Sequence, residues 1–318
     1  MTFNILYMTL LVSINNLKVV NMNITAKNIL METIIRIDGA YAPATIRAYK
    51  SNFERFIEFC DQEKIVALPA NQESVASYIR NLSSGKLKSA SIRIAIASIS
   101  AIHRLNEYSD PTSHPNVKIE LRRMHRNLGR ESRQATGINA ELLQKMLSST
   151  DNSLRGQRDK ALLLTAYDSM CRRSELVSLR IDDSIIDTEN KTFKIKLKRS
   201  KTDQDGIGRW LHLSDMTQKA LLAWIDISNI RTGKLFRGIK RGQIITDDLS
   251  SAQINRIYKS IAARSCVDGS VVKQISGHSM RVGAAQDLLI SGASLPMIMQ
   301  RGRWSKADTV MRYIENVS

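Results

Sequence analysis

A chain of 318 residues, 43% of them hydrophobic, is long enough to bury two cores. Its 47 lysines and arginines against 30 acidic residues leave a formal net charge of +17, which argues against an ordinary metabolic enzyme and for a polyanionic partner, nucleic acid first. Three cysteines (Cys60, Cys171, Cys266), far apart and without a CxxC pair, exclude a disulfide framework and a cysteine zinc site and fit a reducing cytosol.

Residues 1–40 open on a short apolar run, 5–12, with no basic residue ahead of it. That run is too short to span a membrane and lacks the positive start of a secretory signal. The expectation is a poorly ordered tail, or a stretch ahead of a later start at Met22 or Met31. From Tyr41 the pattern turns helical: Pro43 suits a first turn, and Ile46, Tyr49, Phe53, Phe56, Ile57 and Cys60 recur at three-and-four spacing. A second helix places Val75, Tyr78, Ile79 and Leu82 inward and stops at Gly85. A third covers 89–105 with Ile92, Ile96, Ile99 and His103 along one side, and a fourth covers 117–128 with Lys118, Arg122, Arg123, His125 and Arg126. Residues 41–128 therefore read as a compact helical domain, basic on one side. Lys86, Lys88, Arg93, Arg122 and Arg123 are its candidates for DNA contact. His103 and His125, with no partner carboxylate or second ligand, read as packing or surface histidines.

Residues 129–137 (GRESRQATG) form a polar linker that carries Arg130 and Arg133, placed either to follow a duplex or simply to be solvated. Asn139 caps the first helix of a second domain, 138–318. An apolar helix over 159–167 leads to the polar turn DSMCRRSELVSLR. Strand signals follow: Phe193, Ile195 and Leu197 alternate with lysines, and Trp210, Leu211 and Leu213 come after the loop KRSKTDQDGIG, with Lys201 on the arm leading in. Helices resume near Met216 and run to the end, interrupted by GKLFRGIKRGQ. The fold class expected is mainly α with one small antiparallel β-sheet (α+β), in two domains that close on DNA as a clamp. No glycine-rich Walker or dinucleotide loop occurs, so no nucleotide cofactor is expected. The five histidines show no paired-ligand spacing, and no metal is expected either. No long apolar helix with basic flanks suggests a membrane partner.

The chemistry concentrates near the end, in GHSMRVG, IMQRGRW and VMRYIEN. His278 and Arg281 open a helix whose first turn can face an anion, Trp304 sits in a basic turn, and Tyr313 follows nine residues later. With Arg172, Glu175 and Lys201 upstream in order, the chain resembles the tyrosine recombinases of the phage integrase family, weakly over the first domain and strongly over the last forty residues. The resemblance implies cutting and rejoining of duplex DNA through a 3′-phosphotyrosyl intermediate, with Tyr313 as nucleophile. Strand exchange would pass through a Holliday junction on four protomers bound to inverted-repeat sites, without ATP or metal. It assigns Arg172 and Arg281 to a bidentate phosphate clamp, His278 to proton exchange with the phenol or donation to the phosphate, and Lys201 to protonation of the leaving 5′ oxygen. Trp304 would pack against the site with its indole N–H available, and Glu175 would orient its neighbours. Localisation would be cytoplasmic, on the nucleoid. Arg301 and Arg303 flank Gly302 where a member of the family that it resembles has small residues, and the five residues after Tyr313 leave open how protomers interlock. Two rival readings are DNA relaxation of the type IB topoisomerase kind and a non-catalytic DNA-binding protein on a recombinase scaffold.

Overall fold

The computed structural model describes residues 2–130, 134–187, 189–190, 192–200, 203 and 206–314, with residues 2–17 as backbone only. The chain divides into two compact units, Met1–Ser132 and Arg133–Ser318. The first contains α1 (Thr2–Arg36), α2 (Pro43–Glu63), α3 (Gln72–Ser84), α4 (Ser89–Leu105) and α5 (Pro115–Leu128). Its core joins Phe53, Phe56 and Ile57 of α2 to Val75, Tyr78 and Ile79 of α3 and to Ile92 and Ile99 of α4. Phe56 and Phe59 both pack on Tyr78 with tilted rings, their centroids 5.1 and 5.0 Å away. His103 is buried as a packing residue: its Nε2 accepts the Ala70 N–H at 2.9 Å and its Nδ1 lies 2.8 Å from the Ile99 carbonyl.

The expected N-terminal tail is corrected. Residues 18–36 form the packed half of α1, and Ala26 and Leu30 are in the core. The buried Asn23 side chain donates to Asp61 at 2.7 Å and to the Ile65 carbonyl at 3.0 Å, and its Oδ1 accepts the Ala67 N–H at 2.9 Å. The inward stripe is Asn23, Ala26, Leu30, Thr33 and Ile37, a helical spacing partly filled by small and polar residues. That composition hides the period from a hydrophobicity reading.

The second unit holds α6 (Ala140–Ser148), α7 (Leu154–Ser169), α8 (Arg173–Leu176), β1 (Ser184–Asp187), β2 (Thr192–Leu197) and β3 (Arg209–Trp210). It continues with α9 (Asp215–Ser228), α10 (Ser251–Arg264), α11 (Gly269–Gln274), α12 (Ser279–Ile290), α13 (Leu295–Gly302) and α14 (Ala307–Ile314). The sheet is antiparallel in the order β1-β2-β3. Phe193, Ile195 and Leu197 point inward from β2 as the alternation requires. β1 was not expected: four residues with two adjacent isoleucines show no alternation, and pairing with β2 alone makes them a strand. α7 begins at Leu154, earlier than the apolar run suggested. Ser153 caps it, and the buried Arg158–Asp159 pair at 2.6 Å adds polar residues that the periodicity reading skips.

Just after the 129–137 stretch read as a linker, the chain packs against α12. Ile138 donates its N–H to the Ser279 carbonyl at 2.9 Å, and Ala140 donates to Asp287 at 2.7 Å, so the segment crosses α12 at close range. A Cβ on Gly283 would lie 1.9 Å from the Ile138 carbonyl oxygen, a distance no side chain tolerates. Gly283→Ala is therefore expected to destabilise this unit by about 2 kcal/mol or more, through forced displacement of packed backbone. Gly269→Ala, where a Cβ meets nothing within 4 Å, should leave the urea midpoint nearly unchanged. Equal midpoints for the two variants would refute the close crossing.

Candidate active site

Three segments converge. The first is the end of α7, where Met170 adopts a left-handed conformation (φ 50°) and turns the chain through Cys171 into Arg172. Arg172 sits at the N-terminus of α8, and Glu175 three residues on reaches back. Glu175 Oε2 accepts the Arg172 N–H at 3.0 Å, and Oε1 accepts the Arg172 guanidinium at 2.5 Å. Glu175 is 4% exposed, so its charge depends on these partners. Burial works against its carboxylate, but the Arg172 N–H, Arg303 and the Arg172 guanidinium together hold its pKa below the ordinary 4.5.

The second segment is the turn into α12. Ser276 and Ser279 brace it: the Ser276 N–H donates to Ser279 Oγ at 2.9 Å, and the His278 N–H to Ser276 Oγ at 3.1 Å. His278 thereby stands exposed at the helix start. The residue is exposed overall, but partial shielding of its ring, then Arg281, Arg173 and Arg172, lower its pKa from 6.5, which favours neutral imidazole near neutrality. Arg281 lies one turn in and is only 2% exposed. It donates to the Met170 carbonyl at 2.5 Å and to the Gly302 carbonyl, and no carboxylate pairs with it among the described residues. Burial, followed by repulsion from Arg172 and Arg303, lowers its pKa from 12.5 to about 9, which still leaves it cationic near neutrality.

The third segment is the turn between α13 and α14. A Cβ on Gly302 would fall 1.9 Å from the Trp304 ring, so glycine there lets the indole fold back on its own chain. Trp304, 8% exposed, receives the Arg281 guanidinium 4.2 Å from its ring centroid. Its other neighbour is Tyr313, at 5.7 Å between centroids. Tyr313 is half-buried on α14, and Gln286 of α12 donates to its carbonyl at 3.1 Å.

The structure thus gathers Arg172, Glu175, Arg281, Trp304 and Tyr313, with His278 at the exposed edge. Lys201 lies outside the described residues, as does Arg133. Among the basic residues read as DNA contacts in the first unit, Lys86, Lys88, Arg93, Arg122 and Arg130 are exposed without an ion-pair partner among the described residues. Arg123 is exposed but paired with Glu120, so part of its charge is already answered. His125 feels both Arg130 and Arg93, which brings those cations near one another.

Sequence reading did not give three residues their place. Arg303, noted only as a flanking charge, donates to Glu175 at 3.1 Å inside the site. Arg173 lies against Gly277 and His278 and adds to the positive surroundings of the imidazole. Asp287 ties α12 to both Tyr167 and Ala140. The doubled arginine after Cys171 and the GRW turn were the available signals, but charge alone does not tell a buried arginine from a surface one.

Residues 137–318 match the phage integrase family, and residues 32–107 match the phage integrase N-terminal SAM-like domain. The chain is 28% identical over 291 residues to an integrase/recombinase xerD homolog of Selenomonas ruminantium, covering 88% of this chain and 84% of that protein. It is 27% identical over 294 residues to the recombinase cre of Escherichia phage P1, covering 87% and 85%. The fold is also that of the Tn1549 transposon integrase in complex with circular intermediate DNA (TM-score 0.62, 14% identity, 91% and 94% covered). XerH site-specific recombinase bound to palindromic difH substrate shares it as well (TM-score 0.60, 15% identity, 85% and 75% covered).

Because the Glu175 pKa is depressed, its carboxylate adds stability that is complete above the ordinary value of 4.5 and is lost as pH falls through the folded value. Glu175→Gln should cost about 3 kcal/mol near neutrality by leaving buried guanidiniums unanswered. The difference from the parent should shrink at about pH 4 and below. Urea titrations at both pH values check this, and a difference independent of pH would contradict it.

Proposed function

The chain belongs to the phage integrase family and is a site-specific DNA recombinase, and we propose that Tyr313 is the nucleophile with which it cuts and rejoins duplex DNA. The observation that carries this reading is the packing of Arg281, Trp304 and Tyr313 on one another, which sets a phenol beside a buried cation that no carboxylate pairs with among the described residues. In-line attack by the Tyr313 oxygen on a phosphodiester builds charge on the non-bridging oxygens. Arg281 and Arg172 are the groups to bind it, in a partly desolvated site where such contacts strengthen.

His278, kept neutral by partial burial and its cationic surroundings, accepts the phenolic proton as the phosphorus–tyrosine bond forms. The phosphorus–5′-oxygen bond breaks, and that oxygen takes a proton from Lys201, assigned from its place in the sequence pattern. One phosphoester replaces another, so the step stores bond energy in the 3′-phosphotyrosine. A partner strand's 5′ hydroxyl then reverses the attack and releases Tyr313, with no need for ATP. Trp304 is the platform that fixes Arg281 against Tyr313.

Around this centre we assign residues 41–128 to core DNA binding and 138–318 to catalysis. The assembly is a homo-tetramer on inverted-repeat sites, with strand exchange through a Holliday junction, in the cytoplasm on the nucleoid. The exposed cations Lys86, Lys88, Arg93, Arg122 and Arg130, without an ion-pair partner among the described residues, support phosphate contact by the first unit.

A suicide-substrate assay tests the nucleophile. Nicked duplexes carrying inverted repeats from beside the gene should give a denaturant-resistant protein–DNA adduct with the parent protein and none with Tyr313→Phe. An undiminished adduct in that variant would reject the assignment. Arg93→Ala or Arg122→Ala should weaken binding to every duplex alike and lower the salt slope by about 1 each, as loss of a phosphate contact requires. A change confined to one DNA sequence would mean base readout instead.

A further inference from the structure

Arg303 closes α13 in a left-handed conformation (φ 55°, ψ 47°), the position after a helix end that glycine favours. A side chain there costs about 1 kcal/mol against glycine, so an arginine must recover that elsewhere. What it gains is internal. Its side chain is 9% exposed and donates to the Ser169 carbonyl at 2.9 Å, the Met170 carbonyl at 3.3 Å and Glu175 Oε2 at 3.1 Å. Each of the last two acceptors also serves an arginine of the phosphate clamp. Glu175 holds Arg172 through its other oxygen, and the Met170 carbonyl accepts from Arg281.

We propose that Arg303 is a positioning residue that sets the two clamp arginines relative to each other: it fixes Arg172 through Glu175 and Arg281 through the Met170 carbonyl. Nη1 is anchored on the Ser169 carbonyl while Nη2 reaches both the Met170 carbonyl and Glu175, a planar geometry that a lysine ammonium lacks. This rests on the reading of Arg172, Arg281 and Tyr313 as the cleavage machinery. Arg303 also supplies positive charge to Glu175, second only to the Arg172 N–H among the influences that keep it ionised. Removing Arg303 therefore loosens the clamp in two ways. The geometry relaxes, and Glu175 takes up a proton at higher pH and lets Arg172 go.

The test uses the full chain and a pool of nicked duplexes with randomised arms, captured as covalent adducts to find a cleavable site. On that site, adduct formation is timed across pH for the parent, Arg303→Gly, Arg303→Lys and Glu175→Gln, while non-covalent affinity is measured in a Tyr313→Phe background. Arg303→Gly relieves the left-handed strain, so its backbone turn is retained. It should form adduct about 100-fold more slowly, the size of effect that a small misplacement of catalytic groups produces. Its acid limb should move to higher pH, and its DNA affinity should stay within about threefold of the parent, since clamp geometry and not phosphate contact is what changes. Arg303→Lys, which keeps a charge beside Glu175, should leave the acid limb in place while recovering only part of the rate.

A parent-like rate in Arg303→Gly overturns the proposal, as does a slow rate with an unmoved acid limb, which would mark a merely structural role. Should Arg303→Gly fail to fold, Arg303→Lys decides alone: a full parental rate, or a shifted acid limb, overturns it. An affinity loss matching the rate loss would make Arg303 a DNA contact and also overturns it. No adduct from the parent across the whole pool would overturn the underlying reading of Tyr313, which the variants' rates cannot do.

Discussion

The second unit is organised around an unbalanced buried charge. Arg172, Arg281 and Arg303 surround one carboxylate, Glu175, so three cations less one anion leave a formal +2 in a largely desolvated pocket. Burying such charge costs several kcal/mol per ion unless hydrogen bonds answer it. Here main-chain carbonyls of Ser169, Met170 and Gly302 do much of that work, and the Trp304 ring supplies a further electrostatic surface. Carbonyl dipoles satisfy donors without cancelling charge. The pocket therefore keeps a net pull on an anion, which is what a phosphodiester in the act of transfer offers.

Holding that pocket open to substrate requires the carbonyls to stay where they are. Met170 and Arg303 both stand in the left-handed region, the kind of local cost that persists where surrounding packing over-determines it. The packing is visible on α12, where Gly283 admits the Ile138 carbonyl and Asp287 binds Tyr167 and Ala140. Those contacts fix the helix that carries Arg281. Gln286 of the same helix bonds the Tyr313 carbonyl, so cation and phenol are referred to one rigid element. A site spread over three distant segments gains precision from such a shared support.

The first unit follows a different logic. Its aromatic core is apolar and well filled, while its cations lie outside, mostly without acidic partners among the described residues. There charge is solvated and cheap, suited to a salt-sensitive hold on DNA backbone. In the second unit charge is buried and expensive, suited to chemistry on one phosphate.

Local chemistry made much of this legible from residues alone. Apolar spacing gives α2 to α5, alternation gives β2, and Asn139 and Pro43 mark helix starts, because each depends on neighbours a few positions away. The candidate site's residue types and order were legible too, through a family pattern spread from Arg172 to Tyr313. The rest depends on segments that meet only in space. α1 packs through a stripe with Asn23 and Thr33 in it, β1 exists because β2 lies beside it, and Arg303 finds Glu175 at a separation of 128 residues. Sequence by itself determined which residue types the candidate site offers, guanidiniums, an imidazole and a phenol, and their order along the chain. Tertiary structure alone decided which arginine is buried, which carbonyl answers it and which carboxylate is shared, because desolvation and through-space coupling exist only once distant segments are packed together.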